Sequence, residues 1–234
     1  MGKTRTSVID AGKNLTMGPV LLISCESGTM SIRGVPGVTI IDLKPNPNDP
    51  DDMNPVTGAV LRDGVDKLRI IYAMLKSGKH NFKTIVLDSA TEMQKIFMEK
   101  IMGGQEHKIP GFKEWGLMQE QMRLAFRLFR DLPCNVIITA LDQENVDELS
   151  KEVTIRPSLS GKMANEVAGF FDEVIYMQVV RVPSKVEGQP LVPRRIWHTQ
   201  SNGVFMAKDR SGSLSPVEAA SFFLLYNKIY GEQA

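Results

Sequence analysis

Little in this sequence is present in excess. It has two cysteines, Cys25 and Cys134, each inside an apolar run, which suits reduced core thiols and a reducing cytoplasm rather than a disulfide framework. Its three histidines, His80, His107 and His198, are scattered without the paired spacing that a zinc site needs. No apolar run approaches membrane-spanning length, and the N-terminus has no signal-peptide core, so no membrane partner is expected. With 28 Lys and Arg against 27 Asp and Glu, the net charge is +1. That balance excludes a global basic field for nucleic acid, leaving any such contact to local loops, and gives no acidic excess that would indicate disorder. There are no repeats and no low-complexity tracts.

What is present is ordinary globular material. A chain of 234 residues, 42% hydrophobic and 24% charged, is long enough for one sizeable α/β core, so residues 1–234 are read as a single domain. Val20–Cys25, Val38–Leu43, Thr84–Asp88 and Asn135–Ala140 are short continuous apolar runs, the pattern of strands buried on both faces of a parallel sheet. Helical spacing falls between them, over Thr4–Leu15, Arg62–Lys76, Ser89–Met102 and Lys113–Asp131. The alternation predicts a doubly wound α/β sheet with ligands at the C-terminal strand edge. After residue 170 the pattern predicts antiparallel strands over Val174–Val182, Arg194–Thr199 and Val204–Lys208, then a helix over Pro216–Tyr230.

Gly2-Lys3-Thr4 matches the last three positions of a phosphate-binding loop, whose amides wrap phosphates while Lys and Thr reach the terminal phosphate and Mg²⁺. Residue usage alone gives such a tripeptide in roughly one chain in ten of this size, so partners downstream must decide. Asp88 ends a strand in the form of a Walker B carboxylate, or else caps the helix at Ser89. Glu26 ends the first strand where a general base for water could stand, and Thr139 ends another with a hydroxyl. Lys208 and Arg210, two positions apart on a strand, point to one side, where they suit a γ-phosphate or else protect an edge strand.

These five elements, in this order, resemble the RecA-like ATPase core of RecA recombinases and DnaB-type helicases. More narrowly, "KTIVLDSATEMQK", "LPCNVIITALDQE", "SGKMANEVAGFFDEVIYM" and "HTQSNGVFMAKDRSG" resemble short phage RecA-like proteins of the AAA-domain class, associated with single-strand annealing and recombination. The resemblance implies ATP and Mg²⁺ as cofactors, with Gly2, Lys3 and Thr4 on phosphate and Thr4 and Asp88 on the metal. It implies Glu26 as the catalytic glutamate, Thr139 at the sensor position, and Lys208 and Arg210 as cations reaching across a subunit interface of a homo-oligomer. Single-stranded DNA would lie on the loops Gly103–Glu114 and Asp142–Lys162, with Lys108, Lys113, Arg156 and Lys162 on its phosphates. A host-cell cytoplasmic location follows if the chain is phage-encoded.

Two departures stand out. The family's first strand and the leading glycine of its loop have no counterpart before Gly2, so the chain reads as truncated within the phosphate loop. The position of RecA's Asn-Gln pair reads Thr139-Ala140. Two further readings stand beside an ATPase acting on DNA: a non-hydrolysing annealing accessory protein, and a helicase-type or loader motor.

Overall fold

The structure is a computed structural model, and it describes residues 17–26, 28–30, 32–54, 56–103, 108–184 and 190–231. Gly2, Lys3, Thr4 and the first expected helix lie outside the described residues. Four strands, β1 (Val20–Ser24), β2 (Val38–Asp42), β3 (Thr84–Asp88) and β4 (Asn135–Ile138), form a parallel sheet in the order β2-β1-β3-β4. The apolar runs form these strands because both faces of the sheet are covered. Leu21, Ile23, Ile85 and Leu87 point to one side, into a core with α1 (Gly64–Lys76), α2 (Ala90–Met102) and α3 (Phe112–Arg130). Val20, Leu22 and Val86, at the alternate positions, meet Met17, Ile32 and the C-terminal helix α5 (Phe222–Tyr230).

Local chemistry fixes where the helices begin. Asp63 caps α1 by accepting from the amides of Val65 and Asp66, both at 3.0 Å. Gly64 opens that helix because a Cβ there would stand 2.6 Å from Ile96 Cγ2 of α2. The polar loop before α1 is held by Asp52, which is 3% exposed and accepts from Lys67 Nζ at 2.8 Å and the Asn46 amide at 2.9 Å. Burial acts to raise its carboxyl, but these two donors and the Lys67 charge outweigh it and hold Asp52 below the usual carboxylate range.

The second half is antiparallel. A hairpin of β5 (Asp142–Val146) and β6 (Val153–Pro157) leads to the short helix α4 (Met163–Glu166) and a 3₁₀ turn, Val167–Phe170. Then come β7 (Glu173–Val174), β8 (Tyr176–Val182), β9 (Val192–His198), β10 (Lys208–Asp209) and β11 (Val217–Ala219). Strands β8, β9 and β11 form one sheet, and β10 pairs with β7.

Two expectations need correction. The helix read from Pro216 starts only at Phe222, because Val217–Ala219 pairs with Ile196–His198 and buries Glu218. The strand read over Val204–Lys208 is a single bridge from Phe205 to Ile155, with regular pairing only from Lys208.

Strand β4 is the outermost strand of the parallel sheet among the described residues. The amides of Asn135 and Thr139 donate to the carbonyls of Lys83 and Leu87, so the backbone groups of Val136 and Ile138 face the other way. Along that edge runs a cavity of about 420 Å³, with β4 on one side and Val174, Ile175 and Tyr176 on the other.

Candidate functional site

The C-terminal ends of β1, β3 and β4 bring Glu26, Asp88 and Thr139 to one edge of the sheet. Strand pairing places Ser24 beside Asp88, and the Cys25 amide extends the ladder to the Asp88 carbonyl at 2.7 Å. Glu26 then turns outward and is exposed. Ser89, 3% exposed, donates its hydroxyl to Glu26 Oε1 at 2.6 Å and receives the Glu92 amide at 3.4 Å as the N-cap of α2. The cap is therefore Ser89, which leaves the Asp88 carboxylate for other work.

Thr139 is 8% exposed and donates its hydroxyl to Asp88 Oδ1. Two backbone-level ties keep it there: the Ala90 amide donates to the Thr139 carbonyl at 2.8 Å, and the Leu141 amide to Thr91 Oγ1 at 3.0 Å. The result is a chain of short contacts, Glu26 to Ser89 and Asp88 to Thr139, through two residues adjacent in sequence. Beneath it sits the Cys25 thiol, pushed far up by burial and then by the charges of Asp88 and Glu26.

This donor set is made of carboxylate and hydroxyl oxygens, the hard ligands that suit Mg²⁺. Among the described residues no three His, Cys, Asp or Glu gather into a closed metal cage. A site of one or two carboxylates fits a Mg²⁺ that keeps water and takes its remaining ligands from a nucleotide's phosphates. Asp88 and Thr139 supply oxygens of this kind at the strand edge; Lys3 and Thr4 lie outside the described residues.

Lys208 and Arg210 divide between two tasks. Lys208 Nζ donates to the carbonyls of Ala168 and Phe171, closing the 3₁₀ turn before β7. Burial and then the Arg210 charge lower its pKa, against the pull of Asp172 and Glu173. Arg210 is more than half exposed and pairs with Asp172 at 2.7 Å. The Asp209 carboxylate between them ties the turn by accepting from Ser211 Oγ at 2.6 Å and the amides of Gly212 and Leu214 at 3.0 Å.

The expected DNA loops meet at a second cavity of about 610 Å³, whose lining includes Phe112, Trp115, Gln119, Gln143, Asn145 and Arg156. The second loop is largely the β5–β6 hairpin, a strand pair that its polar Asp-Gln-Glu-Asn sequence did not announce. Pairing of Gln143 with Arg156 and Asn145 with Thr154 puts amides and the guanidinium on one face. Asp142 and Glu144 alternate to the opposite face, where, after burial, their charges raise the Tyr176 hydroxyl. Arg156 donates to Asn165 Oδ1 at 2.6 Å. Of the four cations expected on DNA, Arg156 lines the cavity, while Lys108, Lys113 and Lys162 are exposed nearby in sequence to its lining residues.

Sequence reasoning missed Ser89 as the link between carboxylates; the signal was a serine directly after a strand-end aspartate. It also missed Phe112, which is 99% exposed after Pro110-Gly111, and Trp115, which is 39% exposed.

A mainly parallel α/β sheet with carboxylates at adjacent strand ends matches the core of a P-loop nucleoside triphosphatase. A sequence model of the family described as AAA domain matches residues 1–211, and the chain belongs to that family of AAA-type P-loop ATPase domains. No curated protein and no solved structure matches the chain. Among the described residues no helix is long and apolar enough to cross a membrane.

Proposed function

We propose that this chain is a Mg²⁺-dependent ATPase that acts on single-stranded DNA as a homo-oligomer, in phage recombination or strand annealing. The observation that carries the catalytic part is the Glu26–Ser89 hydrogen bond at 2.6 Å beside the Asp88–Thr139 pair. ATP and Mg²⁺ supply the leaving group and the charge that draws it off. Asp88, oriented by the Thr139 hydroxyl, would hold the Mg²⁺ through a water, and the ion would supply positive charge to the phosphates. Glu26, positioned by Ser89, takes the proton of the attacking water. Lys3 and Thr4 reach the phosphates, and a neighbouring subunit's Arg210 meets the transferring phosphoryl group.

Glu26→Gln tests the base. Turnover is expected to fall about a hundredfold or more, with Mg-ATP affinity within about threefold of the parent. Unchanged phosphate release from Glu26→Gln would refute the assignment. If the parent chain binds no nucleotide in calorimetry yet anneals complementary strands, the accessory-protein reading replaces it.

The segregated hairpin supports the DNA part. Its amide and arginine face, with exposed Phe112 and Trp115 opposite, offers stacking surfaces for bases and a cation for phosphate.

A further inference from the structure

We propose that the cavity between the β5–β6 hairpin and α3 is a base-reading pocket, which takes an unstacked adenine of a single strand and makes strand binding selective for adenine. The proposal rests on the DNA reading above and adds a sequence preference that stacking and charge alone do not give.

The cavity has three walls. Phe112, Trp115 and Gln119 lie three and four positions apart, on one face of α3. Gln143 and Asn145, at alternate positions of β5, form the facing wall, with Arg156 across the ladder from Gln143. The third wall is the turn of residues 158–161 that follows β6.

The amide side chains of these walls fall into two groups. Gln94 and Asn165 are committed. Gln94 Oε1 accepts from the amide and the hydroxyl of Ser160, both at 3.0 Å, and its Nε2 donates to the Ser158 carbonyl at 3.3 Å. Asn165 Oδ1 accepts from Arg156 Nη1 at 2.6 Å. These two hold the turn and the guanidinium in place. Gln119, Gln143 and Asn145 have no partner for their side-chain amides among the described residues. Gly161, at φ +60°, leaves room for the first of them, since a Cβ there would stand 2.7 Å from Gln119 Nε2. Three free amides thus line one cavity whose remaining wall is already satisfied.

This lining disfavours phosphate as the enclosed group. Among the described residues it holds no lysine and no carboxylate, and its one cation is already bonded to Asn165. An amide presents a donor and an acceptor side by side, which a base edge can match and a phosphate, with acceptors only, cannot. At about 610 Å³ the cavity has the size of a small-ligand pocket. The exposed rings of Phe112 and Trp115 add a surface on which a base can stack.

Among the bases, free amides favour adenine. Its N6 donor stands beside an acceptor on both edges, N7 on one and N1 on the other, so Gln or Asn can pair with it bidentately from either side. Guanine offers a donor beside an acceptor on one edge only; its other edge is two acceptors, the pattern an arginine fork reads, and Arg156 gives Nη1 to Asn165. Cytosine and thymine also offer one such edge, with a smaller ring to stack.

The test is fluorescence anisotropy of the 234-residue chain with labelled oligothymidylates that carry one central adenine, guanine, cytosine or abasic position, or none, at a single salt concentration and then over a salt series. The adenine strand is expected to bind about tenfold tighter than the all-thymine strand, as one bidentate base contact provides. Gln143→Met combined with Asn145→Leu keeps the size of both side chains and removes their amides, at two exposed positions of the hairpin where the fold does not depend on them. The double variant should bind the adenine strand no better than the thymine strand, while its thymine affinity stays within about twofold of the parent and its salt dependence is unchanged. A merely structural role for these residues would weaken every strand alike.

Equal binding of all strands by the parent, with its salt dependence intact, overturns the base pocket and leaves the DNA reading standing. A guanine or cytosine preference overturns it as well, as does an adenine preference that survives in the double variant. If the parent binds no strand, the DNA reading and the base pocket fall together.

Discussion

The Ser89 hydroxyl donates to Glu26 Oε1 at 2.6 Å while the neighbouring Asp88 carboxylate receives Thr139, so two adjacent residues at the end of β3 orient groups from β1 and β4. Ser89 also caps α2. Ser89→Ala removes both functions and is expected to lower stability by about 1 kcal/mol, the usual value of a helix cap, in urea unfolding. Ser89→Asp restores the cap but sets a carboxylate against Glu26, so it should recover stability and not turnover. Recovery of both by the aspartate would show that Ser89 matters only as a cap.

Arg210 allows the proposed role across a subunit junction to be tested apart from folding. Its ion pair with Asp172 is exposed on both sides, a class of contact worth about 0–1 kcal/mol. Arg210→Ala should leave thermal unfolding nearly unchanged and abolish DNA-stimulated hydrolysis. Full turnover in that variant would reject its role across the subunit junction.

The hairpin cavity makes a prediction about bases. Phe112 is 99% exposed, so Phe112→Ala should not weaken the fold, yet it should weaken oligothymidylate binding by about 1–3 kcal/mol in fluorescence anisotropy. Arg156→Ala should weaken binding and flatten its salt dependence as one phosphate contact is lost. Trp115 offers an internal signal, because Trp197, the other tryptophan, is buried and should not respond to the strand.

Acid stability should depend on Glu218. Burial acts to raise its carboxyl, but Lys228 Nζ at 2.6 Å and the Ser215 amide at 2.7 Å outweigh it and hold Glu218 below the usual range. A depressed carboxylate contributes stability that is present above its unfolded value, about 4.3, and is lost as pH falls through the lower folded value. Glu218→Gln should therefore be less stable than the parent near neutral pH and show a shallower loss below about pH 4. Parallel stability profiles for the two proteins from pH 2 to 7 would refute the assignment.

The parallel half of the fold was legible because its signal is local. Continuous apolar runs such as Thr84–Asp88 can sit only between two covered faces, and their observed bounds lie within two residues of expectation. The antiparallel half was less so. Val217–Ala219 is a strand only because Ile196–His198 lies beside it, and Pro216 alone reads as a helix start. Asp142–Val146 carries no apolar alternation, since all five residues are exposed and its partner strand supplies the order. Of the site, Glu26, Asp88 and Thr139 were legible as strand-end residues, and the structure brings them together. Lys208 and Arg210 kept the spacing of a pair, but the carbonyls of Ala168 and Phe171 that occupy Lys208 lie about forty residues away in sequence and leave no trace near it.

The thiol beneath the carboxylates has one more consequence. Oxidants and alkylating agents attack a sulfur as its anion, and Cys25 is sealed from solvent below two negative groups that oppose that anion. Peroxide therefore finds no reactive sulfur at Cys25, so the packing beneath Glu26 and Asp88 should be indifferent to oxidants that modify exposed thiols.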